Sequence, residues 1–412
     1  MNFLPNISRF AIYALLVFTP LAAGAVQGWA ITLIHLVTLL ALTTLLLQKA
    51  WNWDWKWIST PLDKPFVALL ILIILATIFS MHRRTSFWSL ILLVNYLTLY
   101  YLVVHTVQTR SQVRHLIYVI IGVAVFLSVF GLAKFSGFNP FPWWNYVYFQ
   151  PSHIHRLTAT YVNANHIAGY LEMSGLLLVG FLFTGMGRRG KILMTCCILG
   201  MLLSFILSLS RGGWIGGFMG MTLTVFVLLS GRRFEKKKVT VALAGGLCAL
   251  LIVILTYTPV AQRIRTLEQK ETRTNFAARV TAWKGAVDMI ENHYPVGTGP
   301  GTFPVVFPQY QPAGLMARYF MAHNDYLQFI SEAGVALVPL LVWMMIVFFK
   351  KGFRKLSHPS RLVRGTTLGA MAGLTAILFH SIFDFNLHIP ANALVFTVLA
   401  AVAMSPIPKP DK

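Results

Sequence analysis

Residues 28–48 read GWAITLIHLVTLLALTTLLLQ, a run without a single Asp, Glu, Lys or Arg. At about 1.5 Å of rise per residue, such a helix spans roughly 30 Å, the thickness of a bilayer's hydrocarbon core. Apolar segments of similar length recur near 9–26, 65–81, 87–106, 113–134, 166–186, 190–209, 213–231, 239–257, 326–349, 363–384 and 390–405. About twelve transmembrane helices are therefore expected. Composition agrees: 57% of the 412 residues are hydrophobic and 11% charged, and mean hydropathy is +0.68. That leaves too little polar surface to cover a soluble body of this size. The fold class is an all-α polytopic membrane protein. The first segment ends in small residues, Ala22 to Ala25, as a signal peptide does, but its one basic residue, Arg9, and the closely following span argue against that reading.

Basic residues set the orientation. With the N-terminus inside, 22 of the 34 Lys and Arg fall in cytoplasmic segments, most densely at 231–238 and 350–364, so both termini are expected to be cytoplasmic. Of the remaining 12, 7 lie in one long outer loop, which divides the chain into an N-terminal set of spans (1–257), the loop region (258–325) and a C-terminal set (326–412). The net charge of +22 then reflects topology and attraction to anionic membrane lipids, with no nucleic-acid surface implied. Cys196, Cys197 and Cys248 all fall inside apolar segments and suggest neither a disulfide framework nor a metal site. Trp51, Trp53, Trp55 and Trp57 are expected at headgroup depth.

Chemistry is left to polar residues at the outer ends of the spans. The turn MHRRTSF presents His82, Arg83 and Arg84, either as snorkelling cations or as an anion site. The aromatic loop 134–165 covers apolar surface or stacks on sugar rings through Trp143, Trp144 and Tyr146, and it closes on Arg156, Asn163, Asn165 and His166. Glu172 lies six residues past His166, about 120° away around a helix, so its partner should come from another helix. In LSLSRGGWIGG, Arg211 is flanked by Ser210, Gly212 and Gly213; its planar fork suits phosphate oxygens, or else it satisfies the carbonyls that end the preceding helix.

Within the long loop, Phe276, Val280, Trp283, Val287 and Ile290 repeat at spacings of a helix, predicting an amphipathic helix across the mouth of the bundle with Arg279 and Trp283 on one flank. GTGPGTF (297–303) follows no strand and is no dinucleotide fingerprint; it reads as a sharp turn or a small anion nest. MAHNDYLQFISEAG (321–334) carries His323 and Asn324 into a helix expected to continue through the bilayer. An imidazole at a membrane surface, with an unperturbed pKa of about 6.5, is a natural proton acceptor. Asp325, Gln328 and Glu332 share one helix face, with Asp325 placed to cap the helix and Glu332 in need of a partner. HSIFDFNLHIP sets His380 and Asp384 four apart, as a hydrogen-bonded pair.

The order of SRGG at Ser210, Arg279-x-x-x-Trp283, PVGTGPGTF from Pro295, HNDYLQ at His323 with Glu332-x-Gly334, and His380-x-x-x-Asp384-Phe385 resembles the O-antigen ligase superfamily over roughly 156–400. That superfamily also includes O-antigen polymerases and bacterial O-linked protein oligosaccharyltransferases. The resemblance implies a GT-C-like glycosyltransferase of the bacterial inner membrane. Its donor would be a glycan on undecaprenyl diphosphate, taken at the periplasmic side, and its acceptor lipid A core, a growing glycan or a protein. It also implies Arg211 and Arg279 on the diphosphate and His323 near the acceptor.

The side chains fit this chemistry independently. A diphosphate leaving group needs its growing charge neutralised, by Arg211 and Arg279 with Arg83, Arg84 and Arg318 as further candidates, and the attacking hydroxyl needs a base, His323. Asn324, Asp325, Trp283, Glu332, Arg156, His166, His380 and Asp384 are expected in support. Direct displacement would invert the anomeric centre. The first outer loop, AVQG, holds no carboxylate and the other outer acids are scattered, so neither a metal nor a cofactor is expected. A transporter or flippase fits the helix number, but no repeated pair of broken helices supports it.

Overall fold

The structure, a computed structural model, describes residues 4–141, 156–230, 245, 270–312 and 319–411. Thirteen helices of nine residues or more carry the described chain: α1 (Leu4–Leu21), α2 (Gly28–Trp51), α3 (Asp63–Ile78), α4 (Arg83–Thr106), α5 (Arg110–Phe135), α6 (Ala164–Phe181), α7 (Arg188–Leu207), α8 (Arg211–Ser230), α9 (Lys270–Asn292), α10 (Asp325–Ala333), α11 (Leu337–Leu356), α12 (Arg361–His380) and α13 (Pro390–Met404). Seven are long and apolar enough to cross a membrane, namely α2, α4, α5, α6 with the turn that extends it to Thr184, α7, α8 and α12. α13 and most of α1 are shorter apolar helices, and α3 has 16 residues. Apart from Gly245, the expected span at 239–257 falls outside the described residues, as do Trp143, Trp144, Tyr146 and Arg318.

One expected span is not a single helix. Residues 326–349 break at Gly334, whose φ of +83° suits glycine and whose Cα lies so close to Pro295 that an added Cβ would come within 2.2 Å of the Pro295 carbonyl oxygen. Val335 N–H donates to that same carbonyl at 3.1 Å. The apolar composition runs on through the break, so hydropathy alone reads one helix where there are two: α10, nine residues long, and the longer α11.

α12 is the centre of the bundle. Every residue from Leu362 to Ile377 is buried, the pattern of a helix enclosed on all sides. It packs against α6 closely enough that a Cβ on Gly180 would reach 2.3 Å from Gly369 N. α1 belongs to the same core through Ile12, Leu15 and Leu16.

Several interhelical connections meet at one end. Thr160 Oγ1 donates to Pro20 O (2.7 Å), Arg156 Nε to Ser208 O (2.8 Å), and Met81 N to Thr298 O (3.0 Å). At the end of α13, the buried Lys355 ammonium donates to the carbonyls of Val402, Ala403 and Ser405 at 2.9–3.3 Å, a cation placed where the helix dipole favours one.

Candidate functional site

The end that gathers these connections also gathers most of the polar residues singled out by sequence. His323 comes immediately before the cap of α10 and has a φ of +50°. A non-glycine residue held there costs on the order of 1–3 kcal/mol, a strain that clusters at functional sites. Its Nδ1 lies 3.2 Å from Asp384 Oδ1, and 26% of its side chain remains exposed against 1% for the aspartate. Asp384 also accepts the Phe385 N–H (2.9 Å) on Oδ1 and the Asn165 side-chain amide on Oδ2. Burial alone would raise the Asp384 pKa. The hydrogen bond from His323, with the charges of His323, Arg279 and His166, instead holds it well below the usual carboxylate range.

The cap is not the aspartate. Asn324 Oδ1 accepts the Leu327 N–H at 3.1 Å, while Asp325 turns away to His388 Nδ1 (2.6 Å) and the Leu387 N–H (2.9 Å). The residue with β-region backbone is Asn324, and that backbone is what lets a side chain reach the first free amides. Burial would lower the His388 pKa, but the hydrogen bond to Asp325 and the charges of Asp325 and Glu332 keep it raised. His388 was not read from the sequence, although it stands in the quoted stretch HSIFDFNLHIP, directly before the Ile389-Pro390 start of α13.

The amphipathic helix is present as α9, with a different inner face. Ala282, Ala286 and Met289 are fully buried against Phe303, Phe307 and Ala322, whereas Val287 is 40% exposed. Small residues face inward because the chain passes close: a Cβ on Gly285 would stand 2.5 Å from Tyr310 O. Arg279 and Trp283 do share a flank, and both reach the site. Arg279 Nη1 donates to Phe383 O at 2.9 Å, next to Asp384, and Trp283 Nε1 to Ala322 O at 3.0 Å, next to His323. Gln328, on the inner face of α10, accepts the Ala322 N–H at 3.0 Å.

Arg156 and His166 join from the α6 side. Arg156 Nη2 donates to Asn165 Oδ1, whose amide in turn meets Asp384. Phe385 lies edge-on between two imidazoles, His323 at 5.0 Å and His166 at 4.8 Å between ring centres.

His380 and Asp384 are not a pair. The helix ends at His380, so the four-residue spacing no longer brings the side chains together, and each has another partner: His380 Nδ1 meets Glu172 Oε1 at 3.0 Å, and Asp384 meets His323. Glu172 does find its partner on another helix. Arg211 is the first residue of α8, and the next residue packs on the site, since a Cβ at Gly212 would be 3.2 Å from Phe383 Cβ. Arg156 satisfies the Ser208 carbonyl at the end of α7.

GTGPGTF does form an anion nest, and its anion is the protein's own. Gly301 N–H and Phe303 N–H donate to Glu332 Oε2 (2.7 Å) and Oε1 (3.0 Å), which gives the buried Glu332 its partner. The loop rests on Ser80, in the turn before α4, and on Ser86 and Ser89 at the start of that helix. Arg83 and Arg84, in that first turn, are exposed and join no contact with His323 or Asp384. Among the described residues, no three His, Cys, Asp or Glu side chains converge as a metal site.

A helical membrane protein with a strained, half-open histidine held by a buried aspartate at one end of its bundle is thus defined. Residues 196–342, from the middle of α7 to the start of α11, match the family model for O-antigen ligase. The matched segment lies within the region whose motifs resemble that superfamily, and it includes Arg211, Arg279, His323 and Glu332 but not Asp384. A comparison with curated proteins finds no match.

Proposed function

We propose that the chain is a glycosyltransferase of the bacterial inner membrane, with both termini cytoplasmic and the site on the periplasmic side. It moves a glycan from undecaprenyl diphosphate to an acceptor hydroxyl, with lipid A core as the acceptor and ligation of O-antigen as the reaction. The observation that carries this is the His323–Asp384 contact with Arg279 anchored one residue away, inside and beside a segment of ligase type.

The buried carboxylate accepts a hydrogen bond from His323 Nδ1–H and stays ionised, which leaves Nε2 of the neutral ring as the base. The acceptor hydroxyl loses its proton to Nε2 as its oxygen bonds to the anomeric carbon. The bond from that carbon to the phosphate oxygen breaks on the opposite face, and the diphosphate leaves as an anion beside Arg211 and Arg279. Configuration inverts, and the step uses neither a metal nor a cofactor.

The test is purified protein with a lipid-linked glycan and either lipid A core or a second lipid-linked unit. Transfer to lipid A core supports ligation; elongation of the second unit alone replaces it with polymerisation. Retained configuration in the product would rule out single displacement, and loss of activity in EDTA restored by magnesium would rule out metal independence.

A further inference from the structure

The glycines after Arg211 make room for side chains of the protein itself. A Cβ at Gly212 would stand 2.8 Å from His380 Cδ2, one at Gly213 would stand 3.3 Å from His380 Cε1, and one at Gly216 would stand 3.0 Å from Glu172 Oε2. An imidazole and a carboxylate therefore line the first turns of α8, with Ala168 Cβ (3.1 Å from a Cβ at Gly213) and Ala376 O (2.4 Å from one at Gly216) nearer still.

His380 bridges the other two side chains, with Nδ1 3.0 Å from Glu172 Oε1 and Nε2 3.3 Å from the Ser210 hydroxyl. Ser210 Oγ keeps a lone pair for the Gly213 N–H at 3.2 Å, which is the N-cap bond of α8. All three residues are sealed from solvent: Ser210 is 1% exposed, His380 1% and Glu172 4%. A serine–histidine–glutamate chain with no access for a substrate has no hydrolytic use. What it does hold is the turn that carries Arg211, and a cation at the first position of a helix opposes the helix dipole, so that position needs an external constraint.

We propose that Glu172, His380 and Ser210 are positioning residues that fix the first turn of α8 and so aim Arg211 at the donor diphosphate. This rests on the proposed function. Its consequence is a division of labour in which the buried chain sets donor affinity while His323 and Asp384 set the rate of the chemical step.

The experiment uses the full chain, purified in detergent, and reads binding of undecaprenyl diphosphate, steady-state transfer from a lipid-linked glycan, and Tm. His380→Gln and Ser210→Ala are expected to raise the Kd and the donor KM about tenfold, the worth of roughly one hydrogen bond to a positioned group. In both, kcat at saturating donor and the acceptor KM stay within about twofold of wild type, and Ser210→Thr, which keeps the hydroxyl, restores affinity. Should His380→Gln fail to fold, the Ser210→Ala and Ser210→Thr pair decides. Folded variants with wild-type donor affinity overturn the proposal, as does a fall in kcat with donor KM unchanged. Wild-type protein that does not bind undecaprenyl diphosphate overturns the functional reading itself, and the positioning role with it.

Discussion

His323–Asp384 and His380–Glu172 pair the same two functional groups at similar distances, 3.2 and 3.0 Å, yet they do different work. In the first, a quarter of the imidazole is exposed and the backbone beneath it is strained; in the second, both side chains are 1% exposed or less and the backbone of each is helical. Access, not chemistry, separates them. An open ring can meet an acceptor hydroxyl, whereas a sealed pair can act only through the helices it holds. Such a pair adds little over apolar packing, but losing one partner costs about 3–5 kcal/mol.

The contrast is broken most severely at the open ring. His323→Ala should lower transfer about 1,000-fold, within the range of a lost general base, while binding of undecaprenyl diphosphate stays within about twofold. Loss of binding in the same variant would recast His323 as a phosphate ligand and erase the distinction between the two pairs. Asp384→Asn should lower kcat about 100-fold, because an amide no longer holds the proton on Nδ1. Arg279→Ala should act on the donor, raising its KM about tenfold; an unchanged donor KM with a lower kcat would move Arg279 out of the diphosphate site.

Most of the helices were legible in the sequence because a bilayer imposes a long apolar run on each span, as at 110–135 and 361–380. The break at Gly334 was not, since residues on both sides of it are apolar. At the site, the separate motif residues were legible but their pairings were less so. Spacing suggested His380 with Asp384 because four residues bring side chains together on a helix, and the helix stops at His380. The inner face of α9 was misread for a related reason: a large residue at helical spacing signals a core only when the neighbour leaves room for it. Glu332 shows the opposite case, in which a residue that needed a partner and a loop that suited an anion were read separately, and the fold joined them.

The clasps that hold α10 sharpen the comparison with smaller effects. Glu332 accepts two backbone N–H groups, one on each oxygen, and a glutamine could accept only one of them, so Glu332→Gln should destabilise the fold by about 1–3 kcal/mol. That loss should appear as a lower Tm in detergent with donor KM unchanged.

The third histidine–carboxylate pair, His388–Asp325, is the mildest test, because it ties α10 to the turn before α13 and is read through pH. The His388 pKa is raised above 6.5 in the folded chain, so the folded state binds the proton more tightly than the unfolded one does. The stability this adds is fully present below about pH 6.5 and is lost as pH rises through the higher folded-state value. The Asp384 carboxyl is depressed, so its contribution runs the other way: it is present above the ordinary carboxylate range and is lost only in strong acid. Between the two lies a window in which one clasp loosens while the open pair stays intact. The Tm difference between wild type and His388→Gln should therefore be largest near pH 6 and shrink as pH rises through the folded-state value, corresponding to roughly 1 kcal/mol. A difference that grows with pH would mean that His388 is held neutral, and that Asp325 is anchored by the Leu387 amide alone.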